Sequence, residues 1–192
     1  PEDLNYYKDS PNELAMINYT SGTSGFSKGV MIPYRALCSN IQFAQHVLPE
    51  LNNQTNVVAM LPSAHMYGMM FEFLFEMTIG AHVHFLTRVP RPKIIMQALA
   101  EVKPNIIIAV PLIIEKVYKS KIQKIVEKGS VKTLLKVPVI DKMIQKKICG
   151  ELVSAFGGNF VEVIMGGAAF NKEIEKFFWD IAFPYTVGYG MT

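Results

Sequence analysis

Short apolar runs alternate with longer amphipathic stretches along the chain, and this alternation most constrains its fold. Apolar runs of strand length recur, and segments of helical length with their own boundary residues separate most of them. Pro33 can open one helix, Pro49 can follow its end, and Asn171 can cap another. This order favours an α/β fold with a mainly parallel sheet flanked by helices. We predict strands near 14–20, 57–61, 82–86, 106–110, 161–165 and 185–188, and helices near 33–48, 69–79, 91–102, 111–128 and 171–182.

The size and composition of the chain fit one compact unit. It has 192 residues, of which 50% are hydrophobic, enough for a substantial core. The longest apolar run, 106–114, is far shorter than a membrane span and contains Pro111, so we predict no transmembrane helix, and we recognise no signal peptide. Cys38 and Cys149 lack metal-ligand spacing, which predicts unpaired thiols and a reducing, cytoplasmic setting.

The segment 20–29, Thr-Ser-Gly-Thr-Ser-Gly-Phe-Ser-Lys-Gly, has the composition of a loop that binds a polyphosphate. Its glycines permit backbone conformations in which successive amide N–H groups point at one anion. Hydroxyl groups add donors, and Lys28 adds a fixed charge. The apolar run before it predicts a strand whose carboxyl end carries this loop, where open α/β sheets bind ligands. The predicted contacts are Thr20, Ser21, Gly22, Thr23, Ser24, Gly25 and Lys28.

Two other interpretations of this segment fit less well. A Walker-type P-loop requires Gly directly before Lys and Ser or Thr directly after it, whereas Ser27 precedes Lys28 and Gly29 follows it. A flexible Gly/Ser linker is the second interpretation, but a linker seldom carries a single Lys among small residues between two apolar runs. We therefore prefer the phosphate-binding interpretation.

Four segments, in order, give the chain a resemblance to the adenylate-forming enzymes. This family contains the acyl-CoA synthetases, the luciferases and the adenylation domains of peptide synthetases. The details of the second and third segments are most similar to the long-chain fatty acyl-CoA synthetases. The four are 19–32, which resembles the phosphate-loop signature; 61–68 (Leu-Pro-Ser-Ala-His-Met-Tyr-Gly) with Phe71 and Glu72, which resembles the Leu-Pro-x-x-His segment; 166–169 (Gly-Gly-Ala-Ala), which resembles the adenine-side strand turn; and 188–192 (Gly-Tyr-Gly-Met-Thr), which resembles the Tyr-Gly-x-Thr-Glu motif.

The resemblance implies that the chain is a piece of a larger enzyme. It covers about residues 14–192 and implies that 1–192 is one truncated AMP-binding subdomain, the central subdomain of the family's N-terminal domain. The family's ribose-binding Asp, its C-terminal lid domain and the acidic residue that helps hold Mg²⁺ would all lie beyond Thr192. No metal ligand is therefore expected within this stretch, and complete catalysis is not expected of it.

The resemblance also implies a reaction. A long-chain fatty acid attacks the α-phosphorus of ATP with release of pyrophosphate, and the acyl group then passes to coenzyme A. Lys28 would stabilise the departing phosphates and Thr192 would donate to the α-phosphate, which makes these two the predicted catalytic residues. His65 would orient the substrate, and Tyr189 would stack on adenine. The other implied contacts are Gly167, Ala168, Gly188 and Gly190 for the nucleotide, and Gly166 and Gly167 for the substrate.

Two alternatives to a long-chain fatty acid ligase stay open. One is a ligase for another carboxylic acid, either aromatic or linked to a carrier protein. The other is a nucleotide- or lipid-binding module without catalysis, because the ribose Asp and the lid Lys have no candidate in this stretch. The predicted partners are small molecules, namely a carboxylic acid, ATP with Mg²⁺, and coenzyme A.

A basic segment stands out from the rest of the chain. From Lys119 to Lys147 there are nine Lys against Glu127 and Asp141, a balance of +7, whereas the rest sums to −4. Its Lys residues alternate with apolar ones, which predicts a helical excursion over 119–150. A solvated helical face is one interpretation, and peripheral contact with anionic membrane lipid is the other. The segment lacks Arg and aromatic residues, so no nucleic-acid partner is predicted.

A run rich in Met and aromatic residues occupies 66–77. Most of its side chains are predicted to pack in the core, although such a run also suits an alkyl chain. Glu72 and Glu76 lie one helical turn apart within it. We predict that they face solvent or contact segments beyond this chain.

Overall fold

The described part of the chain begins with an antiparallel hairpin. The computed structural model describes residues 10–21, 26–123 and 138–192, and in it β1 (Leu14–Ser21) pairs with β2 (Ser27–Pro33). The sequence pattern does not predict β2, because Gly29 and the polar residues before it interrupt the alternation of a strand. The glycine-rich segment follows the carboxyl end of β1, as predicted, but it leads into an antiparallel partner strand rather than away from the parallel sheet.

Two sets of parallel strands follow the hairpin and lie edge to edge. The two sets adjoin at Asn56 and Asn105: the Asn105 N–H donates to the Asn56 carbonyl at 2.9 Å, and the Asn56 N–H donates to Asn105 Oδ1 at 2.8 Å. All of these strands overlap predicted ones, so the mainly parallel α/β class is confirmed. The first set is β3 (Asn56–Ala59) with β4 (His82–Phe85), and the second is, in spatial order, β5 (Ile106–Ala109), β6 (Glu162–Met165) and β7 (Tyr185–Val187).

Helices connect the strands and begin where the sequence provides boundary residues. Pro92 and Pro111 each occupy the first position of a helix, where no backbone donor is needed. The Asn171 side chain accepts from the Glu173 and Ile174 N–H groups at 3.0 and 3.1 Å, which confirms the predicted cap. The helices are α1 (Tyr34–Val47), α2 (Met66–Met69), α3 (Phe75–Ile79), α4 (Pro92–Val102), α5 (Pro111–Val117), α6 (Pro138–Ala155) and α7 (Lys172–Asp180), with π-helical turns at Met70–Leu74 and Tyr118–Gln123.

The predicted basic excursion is described only in part. α6 covers its carboxyl-terminal portion, in which Lys142, Lys146 and Lys147 are exposed, and residues 124–137 lie outside the described ranges. Its membrane contact stays a prediction. Across the described ranges, no helix combines the length and apolar character that crossing a bilayer requires.

Hydrophobic clusters cover both faces of β5, which is buried along its whole length. Ile107 and Ala109 belong to one cluster, and Ile106 and Ile108 belong to the other. A strand covered on both faces is apolar at every position rather than at alternate ones, as this one is. The first cluster contains Phe156, Phe160, Phe178 and Phe183, and the second contains Leu48, Val57 and Phe75.

Candidate functional site

Three of the predicted ligand-binding segments directly follow parallel strands. Residues 60–65 follow β3, 166–169 follow β6 and 188–192 follow β7. The carboxyl ends of parallel strands lie along one border of a sheet, where α/β folds bind ligands. We refer to this border as the ligand edge. A hydrogen bond holds the first two segments near each other. Tyr67, in the helix that follows 60–65, donates its hydroxyl to the carbonyl of Ile164 on β6 at 3.0 Å.

The hairpin joins the same edge through a buried amide. Asn18 on β1 is 8% exposed, and its Nδ2 donates to the Ala64 carbonyl at 3.0 Å. A buried amide is held in place by such a bond, since an unsatisfied donor there would be costly. The bond therefore fixes the hairpin against the residue that precedes His65.

The ends of the hairpin strands bracket the predicted phosphate loop. In the ladder, Thr20 lies opposite Lys28 and Ser21 lies opposite Ser27. Directly opposed residues project from the same face of a sheet, so the Thr20 and Lys28 side chains share a face. Lys28 is exposed, which leaves its ammonium group accessible. The intervening predicted contacts, Gly22, Thr23, Ser24 and Gly25, lie outside the described residues, and their roles stay predictions.

His65 ends the turn that leads from β3 into α2. Its N–H donates to the Pro62 carbonyl at 3.0 Å, and its own carbonyl accepts from the Met69 N–H at 2.9 Å. The residue is exposed, so the ring is open to a ligand at this edge. The predicted substrate-side role of His65 is compatible with this position and stays a prediction.

The turn after β6 depends on two glycines. The Gly166 N–H donates to the Ala109 carbonyl at 3.1 Å, and a Cβ at position 166 would lie 2.9 Å from Cζ of Tyr67. Gly167 has a φ of +80°, a conformation that other residues rarely adopt. Ala168 follows and is exposed. The backbone therefore requires both glycines in this turn, and their ligand contacts stay predictions.

The segment after β7 is open to solvent. Gly188 is anchored, because its N–H donates to the Met165 carbonyl at 2.7 Å. Tyr189 is 93% exposed, and Gly190 and Thr192 are exposed as well. An aromatic ring that exposed adds little to the core, which leaves it available for stacking on a ligand. The predicted adenine contact of Tyr189 and the α-phosphate contact of Thr192 stay predictions.

Two carboxyl groups lie buried behind this edge, which corrects the prediction that Glu72 and Glu76 face solvent. Glu72 is 2% exposed and Glu76 is 0% exposed. Apolar residues flank both glutamates in the sequence. A helical segment so rich in apolar residues is expected to be largely buried. That signal in the run Phe-Glu-Phe-Leu-Phe-Glu-Met was available and outweighs the usual preference of Glu for water.

The two carboxyl groups differ in their bonding. The Glu72 carboxyl accepts from the Met60 N–H and the Leu61 N–H, whereas neither Glu76 oxygen has a hydrogen-bond partner among the described residues. Burial raises the pKa of Glu72 to about 7, although the two backbone bonds act in the opposite direction. Burial, and secondarily the charge of Glu72, raises the pKa of Glu76 to about 7. Burial also raises the pKa of the Tyr67 hydroxyl, with a smaller contribution from Glu72.

Replacing Gly166 by alanine is expected to destabilise the fold by about 1–3 kcal/mol, because the new methyl group would press on the Tyr67 ring. The ring cannot retreat without loss, since its hydroxyl is bonded to Ile164. Gly188→Ala is the matched control, because its methyl group would lie 3.7 Å from the Met165 carbonyl oxygen, an ordinary contact. Urea denaturation would compare the two variants, and equal midpoints would contradict the expectation.

Potential metal ligands lie apart in the described structure. Within 10–21, 26–123 and 138–192, no three His, Cys, Asp or Glu side chains converge closely enough to hold an ion. Cys38 and Cys149 are both free thiols.

Comparison with known proteins covers almost the whole chain. A family model described as "AMP-binding enzyme" matches residues 3–192. Long-chain-fatty-acid–CoA ligase 3 of Saccharomyces cerevisiae is 28% identical over 209 residues, which cover 100% of this chain and 29% of that ligase. Long chain acyl-CoA synthetase 4 of Arabidopsis thaliana is 27% identical over 206 residues, which cover 94% of this chain and 30% of that synthetase.

Solved structures share the fold at lower identity. ATP-bound MatB from Rhodopseudomonas palustris superposes with a TM-score of 0.70 at 19% identity, covering 99% of this chain and 31% of that one. The inhibitor-bound N-terminal domain of FACL13 from Mycobacterium tuberculosis gives a TM-score of 0.65 at 17% identity, covering 100% of this chain and 40% of that one. At such identities the likeness establishes the fold alone.

Proposed function

This chain belongs to the AMP-binding enzyme family, and from that premise we propose that it forms part of a ligase that activates a long-chain fatty acid with ATP and transfers it to coenzyme A. The chain spans about 29% of the length of the yeast ligase it matches. The proposed activity is therefore that of an enzyme of the full length of those relatives.

One observation carries the proposal: side-chain hydrogen bonds join the hairpin, the segment that follows β3, and β6. Asn18 ties the hairpin to Ala64, and Tyr67 ties the start of the following helix to Ile164. The hairpin carries Lys28, the turn carries His65, and β6 leads into Gly166. An acyl adenylate and its leaving group need a cation, an orienting donor and a close backbone approach, and Lys28, His65 and Gly166 are the residues proposed to supply them.

The chemistry proposed for the ligand edge is transfer of the adenylyl group of ATP to a carboxylate, followed by acyl transfer to a thiol. A carboxylate oxygen of the acid bonds to the α-phosphorus of ATP while the bond from that phosphorus to the β-phosphate oxygen breaks, and pyrophosphate departs. Negative charge grows on the departing oxygen, so the Lys28 ammonium group would stabilise it. In the second step, the thiol of coenzyme A loses its proton to solvent and its sulfur bonds to the acyl carbon, while the bond from that carbon to the phosphate oxygen breaks and AMP leaves.

His65 is assigned an orienting role in this proposal. A fatty carboxylate is already ionised near neutral pH, so it needs no general base to become a nucleophile. An imidazole N–H at the ligand edge can instead donate to a phosphate or carboxylate oxygen. The exposure of His65 at the end of the turn supports this assignment.

Long-chain fatty acid is proposed as the substrate class because the matched curated relatives are named as ligases or synthetases of long-chain acids. An aromatic or carrier-linked acid is the alternative within the family. A module that binds nucleotide or lipid without catalysis is the alternative outside it.

The experiment that tests the proposal is ATP-dependent pyrophosphate release by the full-length protein with acetate, palmitate and benzoate, with and without coenzyme A. Release that palmitate stimulates most, with thioester formed once coenzyme A is present, is expected. Release stimulated only by benzoate would favour an aromatic acid ligase. No release with any acid would overturn the enzymatic proposal and favour a binding module.

Replacing Tyr189 by alanine is expected to raise the KM for ATP several-fold while leaving the KM for the acid nearly unchanged. Stacking on a purine contributes about 1 kcal/mol beyond simple burial, and it acts on the nucleotide alone. Because Tyr189 is 93% exposed, its removal should leave the fold intact. Steady-state kinetics with each substrate varied in turn would measure both constants, and equal rises in both would argue against stacking.

A further inference from the structure

We propose that Glu72 is a positioning residue, whose buried carboxyl group fixes the turn 60–65 and thereby the location of His65 at the ligand edge. The inference rests on the proposed function in one respect, namely that His65 faces the substrate. Glu72 is buried and contacts only the first residues of the turn, so it would act on a ligand through the turn.

The first observation is the set of bonds that Glu72 accepts. The Met60 N–H lies 3.0 Å from Oε1 and 3.1 Å from Oε2 of Glu72, and the Leu61 N–H lies 2.8 Å from Oε2. β3 ends at Ala59, so these are the first two amides past the strand. Met60 is 4% exposed, and its amide would be a costly unsatisfied donor without the carboxyl group.

The second observation is that the turn closes back on the helix that bears Glu72. The His65 N–H donates to the Pro62 carbonyl at 3.0 Å. A Cβ at position 68 would lie 2.9 Å from the Pro62 oxygen and 3.0 Å from Leu61 Cβ, so α2 packs on the turn as closely as a glycine allows. The carboxyl group therefore holds the entry of the turn, and close packing at Gly68 holds its exit.

The third observation is that Glu76 provides a matched contrast on the same helical stretch. It is one turn farther along and buried like Glu72, yet its oxygens have no hydrogen-bond partner among the described residues. A substitution at Glu76 removes a buried carboxyl group without touching the turn. Effects of Glu72 that arise from burial alone should therefore recur at Glu76, and effects that arise from holding the turn should not.

Glutamine is the substitution chosen at position 72, because it keeps the shape of the side chain and changes only its hydrogen-bonding groups. Each Glu72 oxygen faces a backbone N–H, whereas a glutamine side chain presents one oxygen and one NH₂ group. With NH₂ in the place of Oε2, both amides lose that acceptor and the Met60 N–H keeps only Oε1; with NH₂ in the place of Oε1, it faces the Met60 N–H and one oxygen must accept from both amides. Glu72→Gln should therefore loosen the entry of the turn while the helix remains packed.

The test compares Glu72→Gln with Glu76→Gln in the full-length enzyme, each alone and combined with His65→Ala. We expect Glu72→Gln to lower kcat for pyrophosphate release about tenfold with little change in the KM for ATP, and Glu76→Gln to change kcat less than twofold. In the His65→Ala background, Glu72→Gln should have almost no further effect, because the residue through which it acts is gone. Equal effects of Glu72→Gln with and without His65 would overturn the proposal.

A second measurement does not depend on activity. In protein labelled with ¹³C at histidine, the His65 ring signal, assigned by its loss in His65→Ala, should shift in Glu72→Gln and stay in place in Glu76→Gln. An unmoved His65 signal in Glu72→Gln would overturn the positioning role, even in an active enzyme. A shifted signal in a protein that releases no pyrophosphate would uphold the positioning role and reject the proposed function alone. If Glu72→Gln does not fold, Glu72→Asp serves for the same comparison, since its shorter side chain cannot reach both amides together.

Discussion

Replacing Lys28 by alanine is expected to lower the turnover number for ATP-dependent pyrophosphate release by one or more orders of magnitude. The ammonium group lies on β2 across from Thr20, at the end of the hairpin that carries the predicted phosphate loop. Its charge would offset the charge that grows on pyrophosphate as it departs, and that benefit arises mainly in the transition state. Each tenfold loss corresponds to about 1.4 kcal/mol. The measurement is kcat at saturating ATP and fatty acid in the full-length enzyme.

Lys93→Ala is the matched control for this variant. Both residues are exposed lysines, and Lys93 lies in the first turn of α4, away from the hairpin. Both substitutions should leave the free energy of unfolding within about 0.5 kcal/mol of the wild type, as is usual for surface positions. An unchanged kcat in Lys28→Ala, or an equal loss in Lys93→Ala, would contradict the assigned role.

Replacing Glu76 by glutamine is expected to stabilise the folded protein at pH 8 by about 3 kcal/mol relative to its effect at pH 4.5. Burial raises the pKa of Glu76 from 4.5 to about 7, so the unfolded chain releases this proton at lower pH than the folded protein does. The contribution of Glu76 to the free energy of unfolding is therefore most favourable below pH 4.5, and it falls by about 1.4 kcal/mol per pH unit until the pH passes 7. Glutamine stays neutral throughout, so it avoids this loss.

Urea denaturation of the wild type and of Glu76→Gln at several pH values between 4.5 and 8 would measure the effect. The difference between the two proteins should grow over this interval and level off above pH 7. The pH dependence that comes from Glu72 should remain in both proteins, because its pKa is raised as well. A constant difference across the interval would mean that the pKa of Glu76 is not raised in the folded protein.

Much of the fold was predictable because its signals are local. The apolar runs that became β5 and β6 are bounded by Pro, Asn and Gly, and Asn171 and Pro111 mark helix starts at the positions observed. β2 was missed because a hairpin with a glycine in its ladder has no alternating pattern of its own. The position of β2 is determined by its pairing with β1 and by the length of the loop between them, neither of which is visible in the residues of β2 alone.

The candidate site was predictable as residue types but not as geometry. Motif spacing pointed to Lys28, His65 and Gly166, and it could not show that Asn18 and Tyr67 bind these segments together. Each bond joins two residues that are far apart in the chain. Neither bond belongs to the chemistry by which the motifs are recognised. The hydrogen-bond partners of Glu72 could not be predicted for a related reason, because they are main-chain amides, which carry no sequence signal.

The pairing of β5 with β6 also bears on how this chain can vary through evolution. The two strands are hydrogen-bonded neighbours, yet the whole basic segment lies between Ala109 and Glu162 in the chain. Closing a longer connection costs little entropy, about 0.6 kcal/mol for each doubling of its length. Insertions at exposed positions of this connection should therefore cost the sheet little, whereas deletions that reach Leu152 or Phe156 would open the core. The connection can thus lengthen for a new location or partner while the strand ends that carry the ligand edge keep their register.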